Sequence, residues 1–178
     1  EIACLNAGVL GGPADPAEIS LERYHEAMRV NVDGVVLGVR RLARVMPVGG
    51  RIVVTASLAG LTAMPDDPVY AASKHAQLAF SRATAAQLRS RGIKVHTVLP
   101  GFAETEGFPQ RGVIPKSFEW TIIGPERIAR SILAAVEHDR RESFVPWFYR
   151  PVAILQAVTP SLVARVLARG NYGGPGAA

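Results

Sequence analysis

The sequence predicts an α/β fold in which helices cover both faces of a parallel sheet. Strand-like and helix-like segments alternate along the chain, and this alternation is the signature of such a sheet. The length of 178 residues suits one domain, and a hydrophobic content of 48% supplies material for a core. We therefore expect a single globular domain with about four strands.

The first two elements are predicted to be a buried strand and a long helix. Residues 2–6 form a short apolar run, which places Cys4 in a buried strand. A helix is expected over residues 21–46, because Pro47 ends a stretch in which apolar side chains recur at helical spacing. The inward stripe of this helix contains Tyr24, Met28, Val35, Val39, Leu42 and Met46. The stripe also contains the polar Asn31, and a buried polar side chain needs hydrogen-bond partners.

The middle of the chain repeats the pattern of strand and helix. Residues 51–56 form a β-branched run that predicts a second strand. Asp67 and Pro68 supply an N-cap and a first-turn proline for a second helix, which Gly92 can end. Residues 93–99 predict a third strand.

The last third of the domain contains a long connection, a helix and a fourth strand. Residues 102–124 show no clear period and exceed the usual length of a passive loop, so we expect them to form a lid. Pro125 opens a helix, and residues 143–147 predict the fourth strand. The inward face of the helix is expected to hold Ile128, Ile132, Leu133 and Val136.

The predicted domain ends near residue 149. Residues 1–149 contain all the predicted strands, and residues 150–178 form an apolar, basic C-terminal extension. Residues 140–178 contain five Arg and one Glu, so +4 of the net charge of +5 lies there and the rest is nearly neutral. This distribution argues against a nucleic-acid-binding protein. A single Cys and scattered His residues predict neither a disulfide nor a metal site, and no apolar run suits a membrane span.

Three of the predicted strands end in residues suited to a ligand site. These residues are Asn6, Ala7 and Gly8 after the first strand, Ser57 after the second, and Pro100 and Gly101 after the third. Ligands of parallel α/β sheets bind at the carboxyl ends of the strands. We therefore expect these residues to meet at one edge of the sheet.

Tyr70 and Lys74 lie four residues apart on the second predicted helix, so they share one face. A cation at about 4 to 6 Å typically lowers the pKa of an acid by about 1 to 3, and we expect Lys74 to bring the Tyr70 phenol into the range of proton transfer. Ser57 can donate a hydrogen bond to a carbonyl oxygen on which negative charge builds. Asn31 adds a polar group on the core side of this site.

The spacing Ser-x12-Tyr-x3-Lys, formed by Ser57, Tyr70 and Lys74, resembles the signature of the short-chain dehydrogenase/reductase family. The resemblance implies a Rossmann-like, doubly wound sheet and an NAD(P)-dependent oxidoreductase that interconverts an alcohol and a carbonyl by hydride transfer. It also implies a catalytic set of Asn31, Ser57, Tyr70 and Lys74, with Tyr70 as the acid or base.

The same resemblance implies a site for the nicotinamide end of NAD or NADP. Asn-Ala-Gly at residues 6–8 and Pro-Gly-x-x-x-Thr at residues 100–105 are similar to segments that hold this end in the family. The implied cofactor-binding residues are Asn6, Ala7, Gly8, Tyr70, Lys74, Pro100, Gly101 and Thr105. The family's first two β-α units, which include its glycine-rich turn, have no counterpart here, so we expect this chain alone to be incomplete as an enzyme.

The sequence leaves two alternatives to an oxidoreductase, a hydrolase and a non-catalytic protein. A hydrolase could use Ser57 with His75 and Asp66, but no Gly-x-Ser-x-Gly elbow surrounds the serine. A non-catalytic fragment or pseudoenzyme could act only through a helical dimer face. Small side chains on the second helix favour such a face and a homodimer or homotetramer, and they are Ala72, Ala76, Ala79, Ala83 and Ala86.

The aromatic residues of the lid and the extension predict a lipophilic alcohol or carbonyl as the substrate. Phe102, Phe108, Trp120 and Trp147 are expected to wall the cleft. The extension is expected to continue as a short helix from Ser161 and to dock beside the cleft. Peripheral membrane contact is the less favoured location for its apolar side chains, and a cytoplasmic enzyme is expected.

Overall fold

The computed structural model contains a parallel four-stranded sheet, which confirms the predicted fold class. The structure describes residues 1–12, 15–112, 114 and 116–169. The strands are β1 (Ile2–Leu5), β2 (Arg51–Thr55), β3 (Lys94–Pro100) and β4 (Glu142–Val145). They lie side by side in chain order, with Cys4 opposite Val53 and Val53 opposite His96. All three strand pairs are parallel, so their carboxyl ends share one edge.

Helices pack against both faces of the sheet. The helices are α1 (Leu21–Met28), α2 (Gly34–Val45), α3 (Pro68–Arg89), α4 (Pro125–Glu137), α5 (Tyr149–Val158) and α6 (Pro160–Arg169). Strand side chains alternate between the faces, so Ile52 and Val54 pack with α2 and α3, whereas Val53 packs with α4. The chain therefore has two core clusters, one on each side of the sheet.

The predicted helix over residues 21–46 is interrupted by one π-helical segment, Arg29–Asp33. The wider turns of a π-helix change which side chains face the core. Ala27 is buried where Tyr24 was expected, and Tyr24 is 37% exposed. Asn31 lies in the π segment and is fully buried, as the stripe predicts.

The expectation that Cys4 belongs to the core is wrong. In this chain it is exposed, because Cys4 points to the opposite face from Ala3 and Leu5, which pack against α2. Leu133 was also placed inward by its helical spacing, but it is 58% exposed. Ala135 of the same helix is buried instead.

The lid and the extension are more structured than their sequences suggest. Within residues 102–124, Ala103 pairs with Ile123, and a 3₁₀ turn spans Lys116–Thr121. The extension begins with α5, which the sequence analysis did not predict, and α6 starts at Pro160 instead of Ser161. The last part of the predicted extension, residues 170–178, lies outside the described residues.

Among the helices that the structure describes, none is both long and apolar enough to cross a membrane. Within the same residues, no three His, Cys, Asp or Glu side chains come together as metal ligands would.

Candidate active site

The first turns of α3 meet the carboxyl end of β2 and form a buried polar site. Ser57 caps a short 3₁₀ turn after β2, and its Oγ accepts a hydrogen bond from the Ala59 amide at 3.1 Å. Tyr70 and Lys74 lie on the buried face of α3, one helical turn apart. The Lys74 Nζ atom is 5.6 Å from the centroid of the Tyr70 ring. The structure thus brings together the three residues on which the sequence analysis centred.

The burial of Tyr70 and Lys74 shifts their pKa values in opposite directions. Burial raises the pKa of the Tyr70 phenol above 10.0, the negative charge of Asp67 adds to this, and a hydrogen bond with Ser57 opposes it. Burial lowers the pKa of Lys74 from 10.5 to about 8. The expectation that Lys74 brings the pKa of Tyr70 toward neutrality is wrong for this structure, because burial disfavours the charged phenolate.

At neutral pH Tyr70 is therefore a neutral phenol and Lys74 is a cation. A neutral phenol can donate its proton to a substrate oxygen, and the phenolate that this leaves is the base for the reverse reaction. The site is consequently poised with Tyr70 as an acid, and Lys74 offers a positive charge close to any phenolate that forms.

Asn31 connects the loop after β1 to α3. Its Oδ1 atom accepts from the Val9 amide at 2.9 Å, and its Nδ2 atom donates to the Val9 carbonyl at 2.9 Å and to Ser73 Oγ at 2.8 Å. Ser73 in turn donates to the Tyr70 carbonyl at 2.7 Å. Both Nδ2 hydrogens are therefore committed to these contacts, and Asn31 fixes the loop relative to the Tyr70 turn.

Gly8, which follows β1, lies directly beside Asn31 and Lys74. A Cβ atom on Gly8 would lie 3.4 Å from Lys74 Nζ and 3.5 Å from Asn31 Oδ1. Asn6 and Ala7 are exposed at the same edge of the sheet. The absence of a side chain at Gly8 therefore keeps open the space next to the lysine ammonium.

The segment after β3 lies at the same carboxyl edge of the sheet, and it packs against Tyr149 at the start of α5. Pro100 is buried, and a Cβ atom on Gly101 would lie 2.1 Å from the Tyr149 ring, so glycine is required for this packing. Thr105 is half-buried, and its backbone pairs with that of Phe108. The position of the Tyr149 ring therefore explains why residue 101 is a glycine.

One of the four aromatic residues that were expected to wall the cleft lies beside the Tyr70 ring. The Phe108 ring lies 6.0 Å from the Tyr70 ring, and Phe102 packs against Tyr149 at 6.4 Å. Trp120 and Trp147, however, are more than 70% exposed. The lid thus covers the phenol with Phe108 and places both tryptophans on the surface.

Gln77 belongs to this site, although the sequence analysis did not single it out. It is fully buried, and its Oε1 atom accepts from Lys74 Nζ at 3.0 Å. A second, longer contact runs from Lys74 Nζ to the Thr55 carbonyl at 3.5 Å. The signal that could have found Gln77 is its spacing of three residues from Lys74 on one helix face.

Asp67 was predicted only as an N-cap, but it joins two parts of the site. Its Oδ1 atom accepts from the Tyr70 amide at 2.8 Å, and its Oδ2 atom accepts from the amides of Gly11 at 2.8 Å and Gly12 at 3.1 Å. A Cβ atom on Gly11 would lie 2.5 Å from Val69 Cβ, so the loop can approach α3 only as glycine. The buried carboxylate therefore holds the loop after β1 on the first turn of α3.

Asp67→Ala is expected to lower the free energy of unfolding by about 2 to 4 kcal/mol. The loss of an N-cap costs about 1 kcal/mol, and a buried amide left without a partner costs about 1 to 3 kcal/mol. Denaturant unfolding of the two proteins measures the difference. Asp66→Ala is the matched control, because Asp66 is exposed and its loss should change stability by less than about 0.5 kcal/mol. Equal effects of the two substitutions would contradict this account of Asp67.

The residues of the alternative hydrolase are not arranged for that chemistry. The Nδ1 atom of His75 pairs with the Ala71 carbonyl at 2.9 Å, and the side chain lies on the exposed face of α3. Asp66 is exposed in the preceding loop. Among the described hydrogen bonds of Ser57, Oγ accepts from Ala59 and has no bond to His75. The geometry therefore does not support Ser57 as a nucleophile activated by His75.

Comparisons with known proteins match most of the chain. A family model described as Enoyl-(Acyl carrier protein) reductase matches residues 1–120. The chain is 37% identical over 109 residues to 1-deoxy-11-beta-hydroxypentalenate dehydrogenase of Streptomyces exfoliatus, which covers 59% of this chain and 40% of that protein. It is 29% identical over 174 residues to 17-beta-hydroxysteroid dehydrogenase 13 of Rattus norvegicus, which covers 95% of this chain and 56% of that protein. The chain thus spans about half the length of these curated relatives.

Solved structures share the same architecture. A short chain dehydrogenase from Burkholderia cenocepacia in complex with NADP superposes with a TM-score of 0.76 and 27% identity, over 93% of this chain and 68% of that one. A short chain dehydrogenase/reductase from Burkholderia phymatum in complex with NAD superposes with a TM-score of 0.77 and 24% identity, over 91% and 66%. The first of these neighbours binds NADP and the second binds NAD.

Proposed function

Because this chain belongs to the short-chain dehydrogenase/reductase family, we propose that it carries the catalytic site of an NAD(P)-dependent oxidoreductase that interconverts an alcohol and a carbonyl. The observation that carries the proposal is the buried group in which the Lys74 ammonium lies 5.6 Å from the centroid of the Tyr70 ring and Ser57 is hydrogen-bonded to the Tyr70 phenol. An acid, a cation and a hydrogen-bond donor at one point suit a reaction in which charge builds on an oxygen atom.

The described residues fit the nicotinamide end of such a cofactor. Gly8 leaves open the space beside Lys74 Nζ that a side chain would fill, and Lys74 is buried with a hydrogen bond to Gln77. Asn6, Ala7, Gly8, Tyr70, Lys74 and the segment containing Pro100, Gly101 and Thr105 would hold this end. The nicotinamide, when bound, supplies or accepts the hydride at the substrate carbon.

In the direction of reduction, the chain's own residues supply the proton. The Tyr70 hydroxyl donates its proton to the substrate oxygen as that oxygen becomes negative, and the Ser57 hydroxyl donates a hydrogen bond to the same atom. The phenolate left on Tyr70 is stabilised by the Lys74 cation. Asn31 positions these groups through Val9 and Ser73.

We also propose a lipophilic substrate. The Phe108 ring lies beside Tyr70, so the lid presents an apolar ring near the phenol, and Phe102 packs against Tyr149 after the end of β3. Two relatives support this class of substrate by their names, which are a hydroxypentalenate and a hydroxysteroid dehydrogenase.

The whole enzyme is expected to oxidise cyclic apolar alcohols with a kcat/KM at least about tenfold higher than that for small polyols. Formation of reduced nicotinamide measures both activities. Phe108→Ser should narrow this preference, because it removes the apolar ring beside Tyr70. Phe118→Ser is the matched control, since Phe118 lies in the same lid but is 49% exposed. Faster turnover of polyols would refute the lipophilic substrate.

A non-catalytic role is the second candidate, and one observation favours it. Ala72, Ala79, Ala83 and Ala86 form an exposed row of small side chains along α3, which suits close packing with a second copy in a homodimer or homotetramer. Nicotinamide-dependent turnover separates the two candidates. Association without turnover in the whole protein would favour the non-catalytic role.

A further inference from the structure

The C-terminal extension contains a helix whose outward face is apolar. Tyr149 and Ala153 lie on the inward face of α5 and are buried. The opposite face holds Ile154, Leu155 and Val158, which are exposed, Ile154 at 55%. A surface helix normally turns polar side chains to solvent. The outward face of α5 therefore suits an apolar environment.

Two tryptophans, one in the lid and one just before α5, are exposed as well. Trp147 is 74% exposed and Trp120 is 72% exposed. The ring of Phe148 lies 6.4 Å from Trp147 and 5.2 Å from Trp120, so the three rings are contiguous. We name the exposed apolar side chains of α5, of the adjoining α6 and of these tryptophans the C-terminal apolar surface; they are Trp120, Trp147, Ile154, Leu155, Val158 and Leu162.

The charge beside this surface is positive. Residues 143–178 contain no Asp or Glu, and both Arg150 and Arg165 are exposed. The nearest acid in sequence to Trp120 is Glu119, which is half-buried. Two copies packed through the same surface would bring these arginines together without an acid of the extension to pair with them, which disfavours self-association.

An anionic lipid surface complements both properties. Its headgroups supply negative charge for Arg150 and Arg165, and the layer beneath accepts apolar side chains. Tryptophan favours the boundary between these layers, because its ring is apolar and its N–H is polar. The helices α5 and α6 have 10 residues each, about half of a membrane span, so they suit a position in the plane of the interface.

We propose that the C-terminal apolar surface docks this protein on membranes that contain anionic phospholipids. The outward face of α5 lies among the headgroups, and Trp120 and Trp147 insert beside it. Phe148 and Tyr149 connect this surface to the lid and to Gly101 at the candidate active site. Docking therefore places the mouth of the cleft at a lipid surface.

Sedimentation of the whole protein with lipid vesicles tests the proposal without any need for turnover. Binding is expected to vesicles of phosphatidylcholine mixed with phosphatidylglycerol and to be at least about tenfold weaker to phosphatidylcholine alone. The double variant Ile154→Ser/Leu155→Ser should lose at least about tenfold in binding to the mixed vesicles. Arg150→Gln/Arg165→Gln should remove most of the preference for the anionic lipid.

Two matched controls separate docking from general effects on charge and apolar area. Leu133→Ser removes an apolar side chain of similar exposure, 58%, from α4, and Arg127→Gln/Arg130→Gln removes two exposed charges from the same helix. Both controls should bind vesicles like the unchanged protein. Because every substituted side chain is exposed, circular dichroism spectra should remain unchanged.

Three results would overturn the proposal. The protein could fail to sediment with the mixed vesicles, or it could bind them equally well after the serine substitutions. The third result is a shift from oligomer to monomer in size-exclusion chromatography on Ile154→Ser/Leu155→Ser without vesicle binding, which would assign the surface to a second copy of the chain.

Discussion

Tyr70→Phe is expected to lower the kcat of the whole enzyme by about 10²- to 10⁴-fold, the usual contribution of a general acid. The substitution keeps the ring that packs against Phe108 and removes only the hydroxyl that donates the proton. Cofactor affinity should change little, because the Lys74 ammonium and Gly8 are untouched. Steady-state turnover and titration of cofactor fluorescence measure the two quantities separately.

Tyr24→Phe is the matched control for Tyr70→Phe. Tyr24 lies on α1, is partly exposed and is distant from the buried group of Ser57, Tyr70 and Lys74 in the chain. Its loss should leave turnover unchanged. If Tyr70→Phe kept more than about a tenth of the activity, the barrier would have risen by less than about 1.4 kcal/mol. The Tyr70 phenol would then not be the essential acid.

Lys74→Met is expected to lower kcat/KM in the direction of reduction by about 10²- to 10³-fold, because the charge that stabilises the Tyr70 phenolate is lost. The pKa of Lys74 is lowered to about 8, so the ammonium of the unchanged enzyme is itself lost as the pH rises through that value. The rate of reduction should therefore fall above about pH 8 in the unchanged enzyme. In Lys74→Met that step in the pH profile should be absent.

The same lysine makes the folded protein more stable at alkaline pH. Burial lowers the pKa of Lys74 from 10.5 to about 8, so the unfolded chain binds a proton in this range that the folded protein does not. Stability then rises with pH, by about 2 kcal/mol between about pH 8 and about pH 10, and this gain is lost again as the pH falls from about 10 to about 8.

Denaturant unfolding at several pH values measures this gain. Lys74→Met should show a flatter dependence on pH, whereas the exposed control Lys116→Met should keep the slope of the unchanged protein. Equal slopes in all three proteins would contradict the burial of a Lys74 ammonium.

The sheet and most helices follow from the sequence because their signals are local and periodic. The β-branched run of β2 and the Asp67-Pro68 start of α3 each fix an element by its own residues. The interruption at Arg29–Asp33 could not be predicted, since the π segment arises where Asn31 finds partners on Val9 and Ser73, which are distant in sequence. Tertiary hydrogen bonds decide the local geometry there.

Errors in burial have a common physical cause. Helical or strand period shows which residues share a face, but it does not show whether another element covers that face. Cys4 fits its strand pattern but is exposed, and the apolar row of α5 fits a core helix but faces outward. Periodicity alone predicts an apolar face, and the topology of the chain determines its burial.

The sequence predicts which residues form the candidate site better than it predicts their pKa values and contacts. Spacing placed Ser57, Tyr70 and Lys74 together, and the structure brings them into one buried group. The direction of the Tyr70 pKa shift was wrong, because sequence spacing reveals the nearby cation but not the extent of burial. Gln77 was missed for a related reason, since its contact with Lys74 becomes informative only when both side chains are buried.

Transfer of deuterium to the nicotinamide is the most direct test of the proposed oxidoreductase. The whole enzyme is given a cyclic apolar alcohol that carries deuterium on its hydroxyl-bearing carbon, together with oxidised NAD or NADP. Mass spectrometry of the reduced cofactor should find one deuterium per molecule, and Tyr70→Phe should show almost none. Carbonyl product without deuterium in the cofactor, or equal transfer by Tyr70→Phe, would contradict hydride transfer at a site that depends on Tyr70.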